Sequence, residues 1–230
     1  MTDITGWNKF YKYYDDGQLV TTNVLYTPYV NPEGTVLCMS WNEKDPYQRD
    51  NTRLTKELVD FFFDREVTYL MKFQEFDWAP RVLEVDLENR RVFIEWNKET
   101  LNTILYTGRN LDELCPTWKE EIFTMLKDIV DSGYYKMALY PHCFFIAADG
   151  TLKVFDFYSC LSIEERYLPR ATLIGLIGPD SGGRFDEATV DNKVDFYVFF
   201  KNTLLNQLAK TWKDNPFPEF YHRLFPNVSV

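Results

Sequence analysis

Hydrophobic and polar positions change period several times along the chain. Residues 19–26 and 35–41 are rich in β-branched and aromatic side chains and are separated by short turn signals, Asp16-Gly17 and Asn31 to Gly34, so residues 7–41 read as strands and turns. A polar stretch over 42–53 interrupts the pattern. Residues 55–73 then follow a helical period, with Leu58, Phe62, Val67, Leu70 and Met71 apolar behind a capping Thr55. Pro80 ends that unit. Two further strands are expected over 81–86 and 91–96, joined by residues 87–90. A short helix follows from 97 to 106. Pro116-Thr117 caps an amphipathic helix near 118–132, with Ile122, Met125, Leu126 and Ile129 on one face. Residues 134–158 hold two short strands around the Asp149-Gly150 turn. Residues 160–190 read as irregular, 190–212 as a second long helix and 219–224 as a short one. Strands in front and helices behind make an α+β chain. The boundary between a β-rich lobe with one long helix (1–97) and a mainly helical lobe (98–230) falls near Trp96.

Composition narrows the class. The 230 residues are 45% hydrophobic and 17% aromatic, enough for a packed core rich in rings. The net charge of −10, with no basic run longer than Arg90-Arg91, makes non-specific nucleic-acid binding unfavourable, because the surface repels phosphate. No stretch is long and apolar enough for a membrane span and no apolar leader opens the chain, so a soluble cytoplasmic protein is expected. Cys38, Cys115, Cys143 and Cys160 form no CxxC pair. They read as buried free thiols of a reducing compartment, with a metal site as the minor alternative.

Several residues carry a resemblance. The segment from Leu152 to Tyr158, with Asp156-Phe157 in it, resembles the strand leading into the Asp-Phe-Gly motif of the protein-kinase-like superfamily, with Tyr158 where the glycine stands. Pro141-His142-Cys143 followed by an apolar run and Asp149-Gly150 resembles the end of the catalytic loop. Phe93 to Trp96 resembles the strand and hinge where adenine binds, with Ile94 as gatekeeper and Glu95 and Trp96 beside it. Glu66 resembles the helix glutamate that orients the ATP lysine. Val194 to Phe199 resembles the start of the large helix whose Asp195 supports the catalytic loop. The likeness spans roughly residues 55–205 and implies a two-lobed fold, β-rich then helical. Residues 142–145 and 94–101 are also similar to uncharacterised proteins of large marine cyanobacterial T4-like phages, which would put the protein in a host cytoplasm but supplies no activity.

The departures shape the functional expectation. Ala138 aligns with the general-base aspartate and Cys143 with the second metal-binding asparagine. Met39 or Ser40 stands where the ATP lysine would be, and no glycine-rich loop precedes it. Phosphoryl transfer draws most of its stabilisation from those groups. The resemblance therefore implies a pseudokinase that engages a protein partner, with weak binding of ATP and magnesium as an option. An atypical phosphotransferase or nucleotidyl transferase using Asp156 for metal, and a nucleotide-free interaction protein with an aromatic-filled cleft, are the alternatives. Each candidate residue also has a plainer reading. Asp156 is a magnesium ligand or a strand-end cap. Glu66 is a lysine partner or a solvated helix charge. His142 is a general base or a loop-bracing imidazole. Lys136 is a stand-in phosphate lysine or an exposed charge. Cys143 is a reactive or a packing thiol.

Overall fold

The structure is a computed structural model and describes residues 2–10, 13–15, 18–20, 26–41, 56–136, 139–162 and 223. The expected turn at 16–17, the helix over 190–212, that over 219–224 apart from residue 223, Ala138 and Asp195 lie outside the described residues.

A five-stranded antiparallel sheet is built from β1 (Asn8–Lys9), β4 (Thr27–Val30), β5 (Val36–Ser40), β6 (Val82–Asp86) and β7 (Arg91–Glu95), in the order β1-β4-β5-β7-β6. A separate hairpin joins β2 (Tyr13–Asp15) to β3 (Gln18–Val20). Of the strand expected over 19–26, residues 21–25 lie outside the described residues. β4 pairs with β5 from Thr27 to Val30, and Asn31 sets the turn between them by accepting the Thr35 and Val36 N–H groups at 2.7 Å.

Register divides the side chains between the two faces of the sheet. Tyr29, Cys38 and Phe93 share one face and form an apolar cluster covered by Ile4 and Trp7. Residues of opposite parity, among them Met39, Trp41, Val92, Ile94 and Trp96, belong to the other face. There the α1 helix (Lys56–Lys72) packs, its Phe63 ring 6.3 Å from Trp41. The bounds of α1, β6 and β7 follow the apolar periods closely.

Beyond β7 lie α2 (Leu101–Tyr106), α3 (Leu111–Leu114), α4 (Trp118–Asp131), β8 (Tyr134–Lys136), β9 (Phe144–Ile146), β10 (Leu152–Val154) and β11 (Cys160–Ser162). β9 and β10 form the expected hairpin around Asp149-Gly150. α3 was not foreseen. Its cap is Asn110, whose side chain accepts the Asp112 N–H. Residues 160–162 are not irregular either, since β11 pairs with β8, and such a pairing leaves no mark on local composition.

By contacts the chain falls into two units, Met1–Trp118 with His142–Tyr158, and Lys119–Pro141 with Ser159–Val230. This division does not coincide with the sequence boundary at 97/98, because residues 98–118 and the β9–β10 hairpin belong with the large sheet. Among the described residues no helix is long and apolar enough to cross a membrane. All four cysteines are free and buried.

Gly133 follows α4 with φ +82, and a Cβ there would meet nothing within 4 Å. Gly133→Ala should therefore cost about 1 kcal/mol through backbone strain alone, read as a lower urea midpoint at unchanged m.

Candidate functional site

The site centres on Asp156, two residues beyond β10. The backbone arrives there through two fixed hydrogen bonds. Val154 N–H donates to the Trp78 carbonyl at 3.1 Å and Phe155 N–H donates to the Cys143 carbonyl at 2.9 Å. Asp156 then turns left-handed, with φ 68, a region that aspartate tolerates better than most residues. The residue is 2% exposed. The Tyr26 hydroxyl donates to Oδ1, and the Cys143 thiol donates to Oδ2 at 3.3 Å. Tyr26 immediately precedes β4, and its ring lies 4.9 Å from that of Trp41.

Burial pushes the Tyr26 phenol well above the usual tyrosine range. The charge of Asp156 adds to this, as do its hydrogen bond and the charges of Glu66 and Tyr158. The folded state therefore holds this proton when the unfolded chain has released it. The contribution to stability is complete below about pH 10, the ordinary tyrosine value, and is lost as pH rises beyond it. Stability should fall above that pH, and less steeply in Tyr26→Phe, measured by urea unfolding between pH 8 and 11.

α1 grips the residue two positions on. Glu66 Oε2 accepts the Tyr158 N–H at 2.6 Å, and Arg65 Nε donates to the Tyr158 carbonyl at 3.0 Å. The Arg65 guanidinium itself lies over the rings of Phe61 and Tyr69, at 5.4 and 5.1 Å. Glu66 is 0% exposed, which overturns its reading as a solvated helix charge. The Tyr158 ring meets Trp41 and Phe62 edge-on.

The hinge-like segment is filled with rings. Ile94 is fully buried on the inner face and Trp96 is 4% exposed. The Trp96 ring packs against Phe10, Phe145 and Phe155 at 5.0, 4.7 and 5.6 Å. Phe145 and Phe155 also touch each other at 6.2 Å. Glu95 has a structural role, its Oε1 accepting the Arg81 N–H at 2.9 Å with Lys153 Nζ at 3.6 Å.

The two remaining candidates are less informative. His142 is half-buried in a single helical turn, Pro141–Cys143. Lys136 lies in the second unit, on β8 opposite Cys160, and is 0% exposed, so it is not the exposed charge the sequence suggested. The structure thus gathers Asp156, Cys143 and Glu66 in the first unit, with Ile94 and Trp96 in the same unit. Tyr26, Arg65, Phe10, Phe145 and Phe155 went unremarked as site residues. Tyr26 and Asp156 are 130 positions apart, and nothing local marks either as the other's partner.

Magnesium needs several oxygen ligands in near-octahedral array. Here both Asp156 oxygens accept internal hydrogen bonds, one from the Tyr26 hydroxyl and one from the Cys143 thiol, a soft ligand. Among the described residues no group of three or more His, Cys, Asp or Glu side chains could hold a metal.

No protein-family model matches the chain, and no curated protein matches it. Among solved structures it is similar to WbdD, a bifunctional kinase-methyltransferase, at 15% identity and TM-score 0.46, covering 87% of this chain and 47% of that one. A monomeric form of WbdD gives 16% and 0.46, covering 88% and 45%. A complex of WbdD with a kinase inhibitor gives 16% and 0.47, covering 90% and 40%. The chain spans less than half the length of these proteins.

Proposed function

We propose that the protein is a kinase-like binding module that has given up nucleotide chemistry and works by engaging another protein. The observation carrying this reading is the aromatic plug. Trp96 sits where the sequence resemblance would seat adenine, and its ring is enclosed by Phe10, Phe145 and Phe155. A planar base of similar size would have to displace packed rings, each of which contributes a large buried area. The capped Asp156 supports the same reading, because a metal would have to compete with its hydrogen bonds from Tyr26 and Cys143. The strand–helix–strand order around α1 and the β10-to-Asp156 turn supports the kinase-like frame, and the missing lysine, glycine loop and base argue against phosphoryl transfer.

Calorimetry with ATP tests this, with and without magnesium, on the wild type and Asp156→Asn. No heat of binding is expected at millimolar nucleotide for either protein. Magnesium-dependent binding that disappears in Asp156→Asn would overturn the proposal and favour a nucleotide-dependent transferase.

A further inference from the structure

We propose that residues 2–7 form a lid over the sheet face that carries Tyr29, Cys38 and Phe93, and that this lid peels back as far as β1 while the sheet stays folded. The covering contacts are apolar. Ile4 and Trp7 pack on the Tyr29, Cys38 and Phe93 cluster, the Trp7 ring meeting Phe93 edge-on at 5.8 Å. Cys38 is 0% exposed, whereas Ile4 and Trp7 themselves are half-buried. The lid is folded on itself. Thr5 N–H donates to Asp3 Oδ1 at 2.9 Å, and Trp7 N–H donates to the Ile4 carbonyl at 3.0 Å. Gly6 makes that turn at φ +86, and a Cβ there would meet nothing within 4 Å, so the backbone conformation and not the space selects glycine. The turn brings Ile4 and Trp7 onto the same cluster.

Strand pairing starts only after the lid. β1 pairs Asn8 with Val30 and Lys9 with Tyr29, and Phe10 N–H donates to the Pro28 carbonyl at 2.8 Å, so the chain is anchored from residue 8 onward. The lid's hydrogen bonds to the sheet lie at its far end. There the Thr2 N–H donates to Glu84 Oε1 at 3.1 Å, and the Thr2 hydroxyl donates to Oε2 of the same carboxylate on the edge strand β6. The charge of Arg91 also acts on Asp3, but less than the hydrogen bonds from Thr5 do. Opening therefore breaks the Thr2–Glu84 pair and the contacts of Ile4 and Trp7, and it leaves every strand pair intact. Segments with few buried contacts and half-exposed hydrogen bonds open at a fraction of the global unfolding free energy. The face so uncovered is apolar and carries a thiol, Cys38, that reports the opening. The device does not rest on the reading of the protein as a binding module.

Alkylation of Cys38 by iodoacetamide, read by peptide mass spectrometry on the full chain, tests the lid in three proteins. Glu84→Ala removes both acceptors of Thr2 and should speed Cys38 labelling about tenfold, the order expected for losing hydrogen bonds to a charged group. Glu66→Ala weakens the fold on the other face of the sheet, where α1 packs. It raises the closed and open forms alike, so Cys38 labelling should not change. An acceleration in Glu66→Ala matching its loss of stability would mean that the thiol is reached only by global unfolding. That result would overturn the lid, as would an unchanged rate in Glu84→Ala. Should either variant fail to fold, the wild type decides in urea. Lid opening exposes little surface, so Cys38 labelling should hardly vary with urea below the unfolding transition. A dependence as steep as that of global unfolding would overturn the proposal. Nucleotide calorimetry on the same preparation decides the functional reading separately.

Discussion

Trp96→Ala should destabilise the protein by about 3–5 kcal/mol, the range for deleting a buried aromatic side chain, and should come close to abolishing folding. The ring is 4% exposed and is held by Phe10, Phe145 and Phe155, so its loss leaves a cavity lined by rings that cannot all collapse inward. Trp96→Phe should cost well under half as much. The Trp96 Nε1–H is buried with no hydrogen-bond partner among the described residues, so the smaller ring gives up no polar contact. Urea unfolding followed by far-ultraviolet circular dichroism gives both values. If Trp96→Ala proved mild, the rings would be surrounding an accommodating space, and the aromatic plug would lose its standing as the obstacle to a base.

Glu66→Ala should cost about 3 kcal/mol. It removes a fully buried charged acceptor from the Tyr158 N–H at 2.6 Å, and hydrogen bonds to charged groups contribute about 1.5–3 kcal/mol before lost packing is added. Glu66→Gln keeps an acceptor oxygen and should lose clearly less. Arg65 holds the carbonyl of the same residue. Arg65→Ala combined with Glu66→Ala should therefore be non-additive, with a coupling energy of about 0.5–3 kcal/mol in a double-mutant cycle. Strict additivity would mean that the two contacts do not act as one clamp.

These expectations recast the glutamate and the aspartate. Both occupy positions where the sequence resemblance implies nucleotide chemistry, and both are spent on internal backbone and side-chain partners. A resemblance read at single positions carries residue type but says nothing of what each side chain touches. Glu66 is legible as a helix carboxylate from the α1 period alone. That it faces inward and accepts the Tyr158 N–H depends on how α1 meets the β10 turn, which no local window records.

The elements divide the same way. The spans of α1, β6, β7, α4 and the β9–β10 hairpin were legible, because their apolar period or turn residues are local properties. β4 was not, since its four residues include Pro28 and gain their partners only from β1 and β5. α3 and β11 went unread because one is a single capped turn and the other exists by virtue of pairing with β8.

By itself the sequence determined the class, α+β, and the ring-rich core, because composition and the spacing of apolar positions are properties of the chain. Only the tertiary structure decided that the rings close over Trp96, that Tyr26 and Cys143 take both oxygens of Asp156, and that Glu66 serves the backbone. Those facts are distances between residues far apart in sequence, and burial and hydrogen bonding are set by what folding brings together.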